Sequence, residues 1–91
     1  MLATSRLQLD NDRATVTEWS FAPSAETGHH VHLLDYVVVP LTTGILRLEI
    51  DEDSMDNMLE AGASYFRTAG SAHNVVNVNE FEFRFIEIEL K

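Results

Sequence analysis

The chain has 91 residues, a formal net charge of −9, 45% hydrophobic residues and no cysteine, which is enough for one domain, 1–91, with a modest core. Acidic and without a block of lysine or arginine, it would be repelled by a phosphate backbone or an anionic membrane surface, which argues against nucleic-acid and membrane partners. With no cysteine there is neither a disulfide frame nor a thiolate site. The start MLATSRLQLD lacks the apolar core of a signal peptide and no apolar run nears the roughly 20 residues that span a bilayer, so a cytoplasmic protein is expected.

In chain order, helical periodicity is absent. Arg6 to Leu9 reads as a short opening strand, and Asp10-Asn11-Asp12 as the turn of a hairpin, because these side chains bond their own backbone. RATVTEWSFA, from Arg13, has strand-favouring density and is closed by Pro23 and Ser24. PSAETGH is a loop that delivers the chain to an extended segment, Gly28 to Leu34. Tyr36 to Val39 is continuously apolar, as in a strand buried on both faces, and Pro40 places the end of that strand at an edge or a bulge.

Ile45 to Ile50 alternates, with Leu46, Leu48 and Ile50 facing inward. DEDSMDN, from Asp51, is expected to be a solvated hairpin tip, since it lacks the spacing of a calcium loop. Met58 and Leu59 begin a short strand, Ala61-Gly62-Ala63 turns it, and Ser64 to Arg67 forms another. After a turn at Ala69-Gly70-Ser71, His73 to Val78 runs as a strand. The C-terminal EFEFRFIEIEL is the clearest strand, but its apolar phase flips between Phe85 and Ile86. That slip predicts a β-bulge there, combined with burial of the second apolar face against another subunit, and a homodimer is expected. Trp19 and Phe21 are expected on an intersubunit or inter-sheet face. Short strands at regular spacing, with no substantial helix, make an all-β sandwich or barrel.

The chemistry centres on GHHVHLLDYVVVPLTTG, Gly28 to Gly44. His30 and His32, one residue apart on an extended segment, point to the same side with Cα atoms roughly 6.5–7 Å apart, so one metal ion can be reached by both. His29 points the other way and reads as a surface or mouth residue. A third histidine, His73, lies in AGASYFRTAGSAHNVVN, Ala61 to Asn77. Imidazole suits zinc, copper, iron and nickel alike, and residue types alone do not choose among them. A single histidine on an apolar segment is more often structural; three at these spacings are not readily explained that way.

These residues carry a resemblance to the cupins, small jelly-roll barrels with two motifs. The first runs Gly, five residues, His-x-His, three or four residues, Glu, six residues, Gly; the second runs Gly, five residues, Pro-x-Gly, two residues, His, three residues, Asn. Gly62, Gly70, His73 and Asn77 meet the second at every spacing, with Thr68 in the place of proline. His30, His32 and Gly44 fit the first. Counting back from Gly44 puts Val37 at the glutamate position, and Ser24 stands in the place of the opening glycine. Nearly the whole chain, including DYVV and the ending FIEIELK, is similar to the short bacterial cupins of beta-alanine degradation.

The resemblance implies a double-stranded β-helix holding one divalent metal, Zn, Fe, Ni or Mn, on His30, His32 and His73. With the glutamate absent, Asp35, on the same face as Val37, is expected either to ligate the metal or to accept a hydrogen bond from a ligand imidazole and fix its tautomer. The alternative is that Asp35 pairs with Arg47 or Arg67. Tyr65 and Arg67 are candidate pocket residues, one of Tyr65 and Phe66 lining the cavity and the other packing outside. Arg67 or Arg84 could grip a carboxylate, although a strand arginine more often pairs with a surface glutamate such as Glu18, Glu49, Glu87 or Glu89. Asn77, on the same face as His73, is the third candidate pocket residue and is expected to hydrogen-bond inside the barrel. The resemblance implies an association with beta-alanine or small-carboxylate catabolism, and a small-molecule ligand is compatible with it. Three functions are compatible with this: a metalloenzyme, including an Fe(II) three-histidine dioxygenase, a non-catalytic metabolite-binding module, and a metal-stabilised accessory protein.

Overall fold

A computed structural model describes residues 1–91, and all nine of its regular elements are strands. They are β1 (Thr4–Asp10), β2 (Ala14–Phe21), β3 (His30–Val31), β4 (Tyr36–Pro40), β5 (Gly44–Ile50), β6 (Asp53–Leu59), β7 (Tyr65–Arg67), β8 (Ala72–Asn77) and β9 (Phe83–Leu90). No helix is long and apolar enough to cross a membrane. The strands form a five-stranded sheet, β1-β2-β9-β4-β7, and a four-stranded sheet, β3-β8-β5-β6. Every ladder is antiparallel.

The first hairpin forms as its turn residues require: Asn11 Oδ1 accepts from the backbone N–H groups of Arg13 and Ala14 at 2.8 and 3.0 Å. Core residues come from both sheets, with Phe21, Tyr36, Val38, Phe83 and Phe85 from one and Leu46 and Val75 from the other. Phe21 and Phe85 pack with ring centroids 5.5 Å apart. Trp19 and Phe21 therefore serve the space between the sheets.

Four expectations are corrected. Gly28 to Leu34 is not one extended strand; only His30–Val31 pairs. β4 is not buried on both faces but alternates, with Tyr36, Val38 and Pro40 buried and Val37 and Val39 half-buried, because the outer side of its sheet has no second layer above it. β6 begins at Asp53, since the turn needs only Asp51 and Glu52, with Asp51 at φ 54°; Asp56 then pairs across the hairpin with Arg47 at 2.7 Å. Finally, β9 holds an unbroken register with both β2 and β4, and the bulge lies instead in β1, between Leu7 and Leu9.

The phase flip in β9 has a different cause. Phe83, Phe85, Glu87 and Glu89 share the inner face, and Arg84, Ile86, Ile88 and Leu90 the outer. Along the strand the inner face passes from aromatic core to carboxylates. The outer face becomes apolar opposite Val16, Val37 and Val39. Pro40 occupies a stretch of β4 that β7 no longer accompanies, where only its carbonyl is used, by Gly62 N–H at 2.8 Å.

At the aromatic end a fully buried Asn77 ties loops to the core. Its amide nitrogen lies 3.0, 3.2 and 2.9 Å from the carbonyls of Phe21, Ala22 and Phe81, and its Oδ1 accepts from the backbone and side-chain N–H of Asn79 at 2.9 and 2.8 Å. Replacement by alanine would leave these buried partners unanswered. Asn77→Ala is expected to destabilise the fold by about 3 kcal/mol in urea denaturation; a loss under about 0.5 kcal/mol would show that water replaces the amide.

Candidate metal centre

The two histidine-bearing stretches meet. In the β3–β8 ladder His30 lies directly opposite His73, and beyond it His32 N–H donates to Ser71 O while Gly70 N–H donates to His32 O, both at 2.8 Å. Gly70 adopts φ +99°, a backbone that residues with a Cβ rarely take, and so lets the turn come back against His32. Alternation then puts His30, His32 and His73 on one side.

Their Nε2 atoms converge: His30 to His32 is 3.1 Å and His32 to His73 is 3.2 Å. Such spacing fits donors about 2.1 Å from one shared ion. His30 Nδ1 lies 2.9 Å from Gly28 O, which assigns the proton to Nδ1 and leaves the Nε2 lone pair facing its neighbours. His32 is stacked on Tyr36, with centroids 3.9 Å apart. Burial, followed by the charge of His30, pushes the pKa values of His32 and His73 down from 6.5 to about 4. Both rings are therefore neutral at pH 7, the state in which an imidazole can ligate a cation.

The triad lies on the wall of a cavity of about 270 Å³ whose apolar lining includes Trp19, Val38, Leu46, Leu48, Leu59 and Phe85. Polar groups on the wall include Tyr36, Tyr65, Arg67 and Glu87. Burial pushes the Tyr65 phenol up to about 12, so it stays protonated at neutral pH. The Arg67 guanidinium lies over the Tyr65 ring, its carbon 4.5 Å from the centroid, and donates from Nη1 to Phe66 O at 3.0 Å. It belongs to none of the four ion pairs, whereas Arg84 is engaged by Glu18 at 2.6 Å, away from the cavity. Phe66 is half exposed and faces outward. His29 is exposed.

Two residues singled out in the sequence lie elsewhere. Asp35 does not join the histidines: its carboxylate is exposed and accepts from Ala69 N–H at 2.7 Å, capping the turn before β8. It pairs with neither Arg47 nor Arg67. Sharing the phase of Val37 is what carries it away, because Val37 faces outward. Asn77 is buried at the aromatic end and does not line the cavity.

The inward position is taken by Tyr36, with three residues between it and His32, a spacing the first motif also allows. Glu87, expected only as a surface partner for an arginine, instead lines the cavity and is in no ion pair. Continuing the alternation of Phe83 and Phe85 would have found it. Its carboxyl is pushed up to about 7 by burial, then by the charge of Glu89, and a group of ligand atoms from His32, Glu87 and Glu89 lies within 4.8 Å of one another.

The lowered imidazole pKa values set a pH dependence. Between 6.5 and 4 the unfolded chain binds protons that folded His32 and His73 refuse, so stability falls as pH falls through that range. Glu87 acts oppositely, losing stability as pH rises from 4.5 to about 7. In a Glu87→Gln background the metal-free protein is therefore expected to melt at lower temperature at pH 4.5 than at pH 7, and adding His32→Asn should shrink that difference. An undiminished difference would show that His32 is not its source.

No family model matches the chain. It is 53% identical over 89 residues to the beta-alanine degradation protein BauB of Pseudomonas aeruginosa, covering 98% of this chain and 94% of that protein. The crystal structure of a cupin domain from Bordetella pertussis superposes with a TM-score of 0.97 at 52% identity, covering 99% of this chain and 94% of that one. A conserved protein with a double-stranded beta-helix domain from Klebsiella pneumoniae shares the fold alone, with a TM-score of 0.80 at 19% identity over 98% of this chain and 76% of its own. In its two-sheet fold, in its motif residues and in its full-length similarity to the Bordetella cupin domain, the chain belongs to the cupin family.

Proposed function

We propose that this cupin holds one divalent metal ion per chain on the Nε2 atoms of His30, His32 and His73 and binds a small carboxylate connected with beta-alanine breakdown beside it. The convergence of the three Nε2 atoms carries the metal reading. The name of BauB supports the metabolic context. When bound, such an ion supplies a Lewis acid and open positions for a ligand oxygen or water.

The chain's own residues explain the rest. The apolar wall excludes bulk water, and a cavity of about 270 Å³ admits only a small molecule. Arg67, braced on Tyr65 and free of any protein carboxylate, has N–H donors left for an anionic group at the mouth. A homodimer belongs to the same proposal: the outer face of β9, with Ile86 and Ile88 beside Val16, Val37 and Val39, is an apolar row that a second copy would cover.

Protein purified without added metal is expected to contain about one divalent ion per chain by elemental analysis, and His73→Ala to lose at least nine-tenths of it. Full metal content in His73→Ala would sink the three-histidine reading. Sedimentation at micromolar concentration should give twice the 10.3 kDa chain mass, and a 10.3 kDa species would remove the dimer.

A further inference from the structure

We propose that Glu87 is the carboxylate that serves this centre, acting through His32 as a positioning residue, so that β9 supplies what the first motif lacks at Val37 on β4. The inference rests on the reading of His30, His32 and His73 as metal ligands.

Placement is the first support. Glu87 continues the inward phase of Phe83 and Phe85, sits between Thr17 on β2 and Val38 on β4, and lines the same cavity as the three histidines. A carboxylate oxygen lies within 4.8 Å of a ring nitrogen of His32, within reach of one bridging water or a small side-chain rotation. Glu89, one row further along and opposite Tyr36, has a carboxylate oxygen within the same 4.8 Å of His32 but does not line the cavity. Asp35 is committed to Ala69 N–H.

The second support is what lacks a partner. Asp10, Glu18 and Asp56 each face a lysine or arginine, whereas half-buried Glu87 takes part in no ion pair. On the other side, His30 has Gly28 O to fix its far nitrogen, while the contacts of the His32 ring are its Nε2 neighbours and the face of Tyr36. A ligand imidazole is ordinarily oriented by an acceptor on its second nitrogen, and a carboxylate is a strong one.

Charge gives the third. Three neutral imidazoles leave both positive charges of a divalent ion uncompensated against an apolar wall, where an uncompensated charge is costly. Glu87 is the acidic residue on that wall, and a cation beside it would favour its ionised form.

The test is titration of the metal-free full chain with Zn²⁺ and with Co²⁺ at pH 7, with thermal melting of each metal-free variant as the folding control. Glu87→Gln is expected to weaken Zn²⁺ binding about 10- to 100-fold and to alter the visible absorption of the Co²⁺ form. Glu87→Asp, which keeps the charge, should fall between Glu87→Gln and the parent, and Glu89→Gln should stay within about threefold of the parent. Parent-like affinity and an unchanged Co²⁺ spectrum in Glu87→Gln, with binding lost in His73→Ala, would overturn this inference and leave the three-histidine centre standing. Should Glu87→Gln fail to fold, parent-like affinity in Glu87→Asp overturns it instead. Absence of Zn²⁺ and Co²⁺ binding by the parent would overturn both.

Discussion

Two backbone hydrogen bonds, His32 N–H to Ser71 O and Gly70 N–H to His32 O, hold the site together. β3 is only two residues long and offers little sheet of its own. Those two bonds extend its pairing with β8 past the strand end and fix His32, which would otherwise sit on a loop, opposite a turn whose glycine takes a conformation rare for other residues. Once they form, alternation does the rest. His30 opposes His73, His32 follows on the same side, and the three imidazoles face one another.

The same alternation explains which parts of the protein were legible in its sequence. The His-x-His pair, His73 and the turn glycines were readable because strand geometry makes separation by two a statement about direction. Asp35 was misjudged although its phase relative to Val37 was read correctly, since nothing in the sequence says that Val37 faces outward. β9 was misjudged for the converse reason. An apolar run that changes phase looks like a slipped register when a single buried face is assumed. Here the strand runs from core to cavity, so carboxylates can occupy the inner face while isoleucines occupy the outer. The start of β6 was hidden because Asp53, Ser54 and Asp56 read as turn residues, whereas the strand is held by its pairing with β5 and by the Arg47–Asp56 ion pair.

Electrostatics divides the molecule along the same line. Among fifteen carboxylates and six lysines and arginines, the ion pairs gather away from the cavity, at Glu18 with Arg6 and Arg84, at Asp56 with Arg47 and at Asp10 with Lys91. Arg67 and Glu87 are left on the cavity wall, unpaired, beside imidazoles kept neutral by burial. Unpaired charges next to apolar surface carry a desolvation penalty that a folded chain alone does not recover. They are the groups that the proposed metal ion and ligand would meet.

Asn79 gives the closing glycine of the first motif a meaning of its own. Its side chain clasps Ile45, accepting from the backbone N–H at 3.0 Å and donating to the carbonyl at 2.8 Å, and a Cβ on Gly44 would come within 2.9 Å of Asn79 Oδ1. Gly44 is thus demanded by a clasp at the aromatic end of the barrel, linked through Asn79 to Asn77, and not by the histidines. The glycines of such a motif report that the barrel closes, and the histidines report what it holds. A sequence could lose every ligand imidazole and still be obliged to keep Gly44, so the two halves of the motif are separate witnesses, one to architecture and one to chemistry.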